Sequence, residues 1–445
     1  LNPDDRSRVA SDLKSETDAA AEEAGRKSVQ LGLLGRTPPF TRRQRRVFWI
    51  ASTAGFFNEY DRALLSLALK QIQAGLKIAE SQLGAMLSVI RLGYLLTLLL
   101  TPFADVFGRR RLLLYTVMGY TVFTGLSAVA PGERTFVMFQ IIARAFAGAE
   151  AAVAMVIVAE EVDAAHRGWA IGLLGAVSSS GYGLAAIVFA FINVIPYGWR
   201  GLYAIALVPL MLIIPLRRVL PESTRFEKEY LEGLRPLKVW QPLVQLYSAY
   251  PGRLIMMVSV AFLGSMGGNA AGFLFPKFLQ ETHHWSPGNV SSLFLFGGAL
   301  GILGSIVAGR LSDRYGRRVM GAAFMLLSPI LTIWMYTAPG WSIVPAWVLE
   351  LFFDVAAGTI LNAYSAELFP TSYRSTAGSA LAVAGTTGGA LGLFLEAVLF
   401  NITGSHARAV CCLTVFWIIA PAIIWFFPET SGRELEEISP EANAI

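Results

Sequence analysis

"ADVFGRRR", residues 104–111, and "SDRYGRRV", residues 312–319, are two versions of one phrase. Each sets an aspartate three residues ahead of a glycine and its arginines. Asp313 follows Asp105 by 208 residues. Two more loops repeat at nearly the same interval. "AEEVDAAHRG" (159–168) is echoed by "AELFPTSYRS" (366–375), so Glu160 matches Glu367 and Arg167 matches Arg374, each pair 207 residues apart. "PESTRF" (221–226) is echoed by "PETSGR" (428–433), with Pro221 and Pro428 again 207 apart. Three loops that agree within one residue mark a duplicated chain.

What is duplicated is a set of membrane spans. Of the 445 residues, 54% are hydrophobic and 15% charged, against about a quarter charged in a soluble protein. A spanning helix needs about 20 mostly apolar residues. That ruler finds twelve segments, near 47–70, 83–104, 112–130, 135–158, 168–192, 199–218, 253–276, 289–309, 320–338, 343–365, 375–400 and 408–427. The expected fold is an all-α membrane protein of two pseudo-symmetric six-helix bundles. A polar cytoplasmic leader is expected over 1–46, with no cleavable signal peptide. The bundles follow over 47–218 and 253–427, joined by a cytoplasmic linker over 219–252, with a cytoplasmic tail over 428–445. The basic run "TRRQRR" (41–46) and the arginine-rich even-numbered turns put both termini in the cytoplasm. Parallel repeats imply alternating access, with substrate held between the halves near mid-membrane.

"GRLSDRYGRR" (309–318) resembles the loop signature of the major facilitator superfamily, although Thr101 stands where the first copy needs a glycine. "PETSGRELEEI" (428–438) resembles the C-terminal signature of its sugar-porter branch. The resemblance implies a secondary transporter of the twelve-helix fold. It also implies that Asp105, Arg109, Glu160 and Arg167, with Asp313, Arg317, Glu367 and Arg374, form cytoplasmic charge clusters. Such clusters bias the inner gate between two states. The competing reading of these arginines is a positive-inside signal alone.

Charges that no topology rule requires carry more information, because an ionised group in the hydrocarbon is costly unless paired or wetted. Segment 1 holds Glu59, Asp61 and Arg62; segment 2 holds Arg91; segment 4 holds Arg144 and Glu150; segment 10 holds Glu350 and Asp354; segment 11 holds Glu396. Counted at 1.5 Å per residue, Asp61, Arg91 and Arg144 all lie about 13 Å from the outer end of their spans. Glu59 and Arg62, three apart, share a helix face, which leaves Asp61 for Arg91, Arg144 or both. Burial favours a neutral carboxyl and an adjacent guanidinium a charged one. Asp61, Glu59 and Glu150 are therefore the expected proton-coupling groups. The "YD" pair at 60–61 is similar to that of proton-coupled sugar porters, but the branch's arginine position holds Gln140. "GAE" (148–150) looks more like organic-acid and niacin-type porters. A fixed ion network that only pins helices together is the competing reading.

The expected substrate contacts are Arg91, Arg144, Asn269, Asp354, Asn362, Tyr60 and Tyr94. Of the polar partners that family sugar sites use, "LGSMGGN" (263–269) keeps only Asn269, and Gly175 and Asn362 replace others. Guanidinium suits a planar carboxylate. The expected function is proton-coupled symport of a small organic anion. A sugar or polyol, or a zwitterion or cation, is the alternative within the fold, and a non-transporting membrane sensor the alternative outside it. The expected partners are a small-molecule substrate, a proton and the lipid bilayer of a bacterial inner membrane; the chain is expected to be a monomer that binds no nucleic acid. The four histidines lack metal spacing, the adjacent Cys411 and Cys412 exclude a disulfide framework, and no catalytic constellation, metal or cofactor is expected.

Overall fold

The computed structural model describes residues 40–103, 108–163, 166–208, 241–370, 373–431 and 438. The leader before residue 40, Asp105, most of the linker and most of the tail lie outside the described residues. Twelve helices follow one another: α1 (Arg42–Leu67), α2 (Glu80–Leu100), α3 (Arg109–Ala128), α4 (Glu133–Glu161), α5 (Arg167–Ala190), α6 (Trp199–Ile205), α7 (Pro251–Glu281), α8 (Pro287–Tyr315), α9 (Arg317–Thr337), α10 (Ile343–Glu367), α11 (Arg374–Thr403) and α12 (His406–Ile424). Short helices Leu69–Leu76 and Gln241–Ala249 flank α1 and α7.

Among the described residues, nine helices are long and apolar enough to cross a membrane. The other three are α1, α3 and α6. α1 carries four arginines in its first turns and a charged triad in its middle; α3 opens on Arg109, Arg110 and Arg111; only seven residues of α6 are described. Leu99, Phe296 and Phe426 leave more than two thirds of their surface uncovered, as side chains facing lipid do.

Most helices begin a few residues before the apolar runs that announce them, and in α1 and α8 a side-chain cap sets the start. α1 starts at Arg42, five residues before the apolar run, since Thr41 and Gln44 form a reciprocal cap. Thr41 Oγ1 accepts from the Gln44 N–H at 3.1 Å, and Gln44 Oε1 accepts from the Thr41 N–H at 3.0 Å. The basic run is thus the first turn of α1.

The duplication is visible in atoms. Gly181 on α5 lies against the Phe56 carbonyl on α1, and Gly388 on α11 lies against the Phe262 carbonyl on α7. Neither position has room for a methyl group. The small-residue stretches around 177–186 and 384–393 therefore set matching helix contacts, α5 on α1 and α11 on α7. Gly108 and Gly316 open α3 and α9 with φ of 91° and 99°, a backbone that favours glycine.

The hydrogen bonds and ion pairs seen between the two bundles cluster at the end away from the arginine loops. Ser66 Oγ donates to the Phe273 carbonyl at 2.9 Å, and Lys70 Nζ to the Gln280 carbonyl at 3.2 Å. Gln71 Nε2 donates to Gln280 Oε1 at 2.7 Å. Tyr182 of α5 stacks on Phe294 of α8, ring centres 5.8 Å apart.

Candidate functional site

The site grows from a tightened turn. α2 runs α-helical to Leu92, narrows to a 3₁₀ turn over Gly93–Leu96, and resumes at Thr97. Gly93 lies against the Ile141 carbonyl and Arg144 Cβ on α4, and Gly148 against Tyr94 and Thr97. Thr97 Oγ1 donates to the Ala145 carbonyl at 3.2 Å. Small residues thus let α2 and α4 meet where Arg91, Tyr94 and Arg144 stand. A short 3₁₀ stretch inside a helix often marks a hinge.

Arg144 and Asp61 form a buried pair, Nη1 to Oδ2 at 3.1 Å, with side chains 3% and 1% exposed. Arg144 Nη2 also donates to Gln140 Oε1 at 3.0 Å, and Gln140 Nε2 to Ser127 Oγ at 3.0 Å. Gln140 therefore extends the arginine's hydrogen-bond chain. The Asp61 carboxylate oxygens accept no well-aligned hydrogen bond, so Arg144 holds this carboxyl by charge. The expectation that Asp61 faces Arg91, Arg144 or both resolves to Arg144.

Glu59 pairs with Arg62 at 2.6 Å on the more open face of α1. Glu150 is fully buried and accepts from Asn58 Nδ2 at 2.5 Å. Asn58 also bonds the Ala147 carbonyl at 2.7 Å. Glu150 is thereby fastened between α1 and α4 by an amide, with no ion pair, and its Oε1 has no hydrogen-bond partner.

Arg91 differs from the other two arginines. Glu59 takes Arg62 and Asp61 takes Arg144; no carboxylate within the described residues pairs with Arg91. Its Nε is buried and makes no hydrogen bond. Its guanidinium reaches across from α2 into the space beside Gly389 of α11, next to Asn269 Nδ2 of α7. Asn269 donates back to the Ser265 carbonyl at 2.9 Å. Gly389 keeps that space clear. The result is a partly buried cation between the bundles that no carboxylate of the described residues neutralises, an arrangement that suits an anion.

The remaining expected contacts scatter. Tyr94 lies beside Arg144 against α4. Tyr60 does not line an open cavity: it is 1% exposed and its hydroxyl donates to the Leu202 carbonyl on α6 at 3.3 Å. It faces the interior of the first bundle, because Asp61 next to it is turned toward α4. Asp354 and Asn362 are exposed positions of α10, and no recorded contact joins either to Arg91.

At the arginine end, each cluster closes within its own bundle. Arg109 meets Glu160 at 3.4 Å. Arg317 meets Asp313 and Glu367, each at 3.0 Å. Arg167 is exposed, and Arg374 Nε donates to the Phe369 carbonyl at 3.3 Å. Glu429, read in the sequence only as part of a signature, is the cap of α9. It accepts the N–H groups of Arg317 at 2.8 Å and Arg318 at 3.1 Å, and those of Thr430 and Ser431 at 3.0 and 3.1 Å. Partial burial pushes its carboxyl up, yet these four donors outweigh that and hold it below the usual carboxylate range.

A second charged group was missed. Glu80, Lys277, Glu281, Glu396 and His406 meet at the end opposite the arginine loops. Lys277 lies just past the apolar run 253–276, and His406 just before the run 408–427. Only packing brings them together. Among the described residues no group of His, Cys, Asp or Glu is arranged to hold a metal ion.

This is a multi-pass membrane protein with a charged centre between two related bundles. The model of the Major Facilitator Superfamily matches residues 51–393 and 257–442. The chain belongs to that superfamily: it is a secondary transporter of small molecules and not an enzyme. It is 24% identical to the niacin transporter NiaP of Acinetobacter baylyi, over 88% of this chain and 95% of that protein. It is also 24% identical to the benzoate transport protein of the same organism, over 89% and 92%. The xylose transporter of E. coli, solved in an inward-open conformation, shares the fold with a TM-score of 0.71 at 18% identity, over 89% of this chain and 99% of that one.

Proposed function

We propose that this transporter carries a small organic carboxylate together with a proton, by alternating access, and works as a monomer in a bacterial inner membrane. The observation that carries the reading is Arg91, a partly buried guanidinium between the bundles that no carboxylate among the described residues pairs with, its Nε buried and unpartnered. A paired arginine has its charge already balanced; an unpaired one is a charge that a ligand neutralises. A carboxylate accepts two parallel N–H bonds from a guanidinium. The names of the niacin and benzoate transporters, relatives over most of their length, support the same class of ligand.

Asp61 is the coupling carboxyl in this reading. Its negative charge is balanced by Arg144 alone. When bundle movement or an arriving carboxylate draws Arg144 away, Asp61 takes a proton; when Arg144 returns, the proton leaves. Glu59 holds Arg62 back from the substrate, and Glu150, through Asn58, keeps α1 and α4 packed while the Arg144 side chain moves. Asn269 and Tyr94 border the ligand. The arginine-rich end faces the cytoplasm, by the excess of Arg and Lys there, and both termini lie on that side. Arg109–Glu160 and Arg317–Glu367, with Asp105, Arg167, Asp313 and Arg374, form the inner-gate loops.

The exposed Asp354 on α10, one turn from Glu350, favours a second reading, in which the substrate also carries a positive group. Uptake of labelled benzoate, nicotinate, xylose and a small amine into proteoliposomes, with and without a pH gradient, separates these readings. Gradient-driven carboxylate uptake that is lost in Arg91→Ala supports the proposal. Uptake of xylose alone, or carboxylate uptake indifferent to Arg91→Ala, overturns it.

A further inference from the structure

At the end opposite the arginine loops, one imidazole stands between two carboxylates. His406 Nδ1 lies 2.6 Å from Glu396 Oε1, and Nε2 lies 2.9 Å from Glu80 Oε2. A neutral imidazole donates from one nitrogen only, and an ionised carboxylate only accepts. One of these two contacts therefore sets lone pair against lone pair unless the trio holds one additional proton. Whether that proton sits on the ring or on a carboxyl, the geometry requires it.

The trio spans the two bundles. Glu80 is the first residue of α2; Glu396 and His406 belong to α11 and α12. Lys277 of α7 adds a second tie, 3.0 Å from both oxygens of Glu80, and also contacts Glu281. Glu396 is fully buried, and its Oε2 has no hydrogen-bond partner. That oxygen abuts Gly84, where α2 and α11 come closest and where no side chain would fit. A carboxylate there with no cation but His406 is left uncompensated once the proton is gone. A cavity of ≈460 Å³ lies beside the trio, with Glu80, Lys277 and His406 among its lining.

The other titratable groups around it do not replace this proton. Tyr336 of α9 spends its hydroxyl on the Ala271 carbonyl at 2.7 Å. His283, beyond the end of α7, is held below the usual imidazole range by burial and by His284. Cys411, one turn into α12, is half-buried. Phe400 stacks on the imidazole at 4.2 Å between ring centres and fixes its plane. With Lys277 the only permanent cation among the described residues to pair with Glu80, Glu281 or Glu396, the group is short of positive charge, which favours keeping the proton.

We propose that Glu80, His406 and Glu396 form a proton-binding latch of the outer gate, separate from Asp61, which holds the bundles together when protonated and releases them when the proton leaves. The assignment of this end to the outside rests on the topology under Proposed function; the latch itself does not depend on the substrate. A proton from outside would then favour closure of the outer gate, the step that commits a loaded symporter to turn inward.

The test reads distance, so that failure of the carboxylate reading leaves it intact. Spin labels are placed at the exposed positions Gln82 and Asn401 of the full chain, with Cys411 and Cys412 replaced by serine, in nanodiscs. Distances are measured by double electron–electron resonance from pH 5 to 9. The closed population should dominate in acid and fall with rising pH, by up to about tenfold per pH unit, the slope of one-proton linkage. His406→Gln should remove that pH response, and Glu80→Gln should lower the closed population at acid pH. A pH response unchanged in His406→Gln, or no response in the parent chain, overturns the proposal.

Discussion

Arg91, Arg144 and Arg62 are three guanidiniums at neighbouring positions with three different tasks. The difference lies in what stands opposite each. Arg62 shares a helix face with Glu59, three residues away, and the two pair at 2.6 Å. Arg144 faces Asp61 across the α1–α4 contact. Arg91 faces a glycine. Removing one member of a buried pair strands its partner, at about 3–5 kcal/mol. Arg144→Ala is therefore expected to lower thermal stability markedly. Arg91→Ala removes an unpaired charge and should leave the melting temperature unchanged or raised. The same change should weaken carboxylate binding by about 10- to 100-fold, the worth of a charged hydrogen bond. Scanning fluorimetry and benzoate titration on the two variants read both effects. Asp61→Asn should abolish proton-driven accumulation but permit exchange of benzoate down its gradient, which counterflow measures.

At the scale of elements, helices are positioned by what they lack. Gly93 admits α4 to α2, Gly388 admits α7 to α11, and Gly389 clears room for Arg91. Gly389→Leu should displace the guanidinium and reduce carboxylate affinity, with little change in circular dichroism. Glu429 caps α9 through its hydrogen bonds to the Arg317 and Arg318 N–H groups, and Glu429→Ala should cost about 1 kcal/mol. The cap's carboxyl lies below the usual carboxylate range, so its stabilisation is complete above that range and is lost as pH falls through the lowered value. Hydrogen exchange at the Arg317 and Arg318 amides should therefore accelerate only in acid. Spans and duplication were legible in the sequence because both leave periodic marks: apolar runs, and loops repeated at intervals of 207 or 208. That Asp61 and Arg144 come within reach of each other was also legible from helical rise, and their ion pair agrees with it. Which carboxylate takes which arginine was not. Choosing Arg144 for Asp61 depends on helix rotation, and a count of residues contains no rotation between helices. Tyr60 was misread for that reason, since a tyrosine beside a functional aspartate points to the other side of the helix. His406, Glu396 and Glu80 are separated by up to 326 residues, and their meeting follows only from the packing of α2 against α11 and α12.

At the scale of the whole molecule, two bundles touch at one end and carry separate charge clusters at the other. Contacts such as Ser66–Phe273 and Gln71–Gln280 hold the far end closed, while the Arg109–Glu160 and Arg317–Glu367 pairs lie each within one bundle. In alternating access these roles exchange. In the proposed cycle, substrate is the group that completes the unpaired cation of Arg91, and a proton taken by Asp61 keeps that centre's charge in balance as the bundles rock. The central claim is the coupling of a carboxylate to a proton through these two residues. Its most direct test is the initial rate of labelled benzoate uptake into proteoliposomes, driven by an inward pH gradient, in the parent chain, Arg91→Ala and Asp61→Asn. The account predicts accumulation above equilibrium in the parent chain alone. Gradient-driven accumulation that survives in both variants would contradict it.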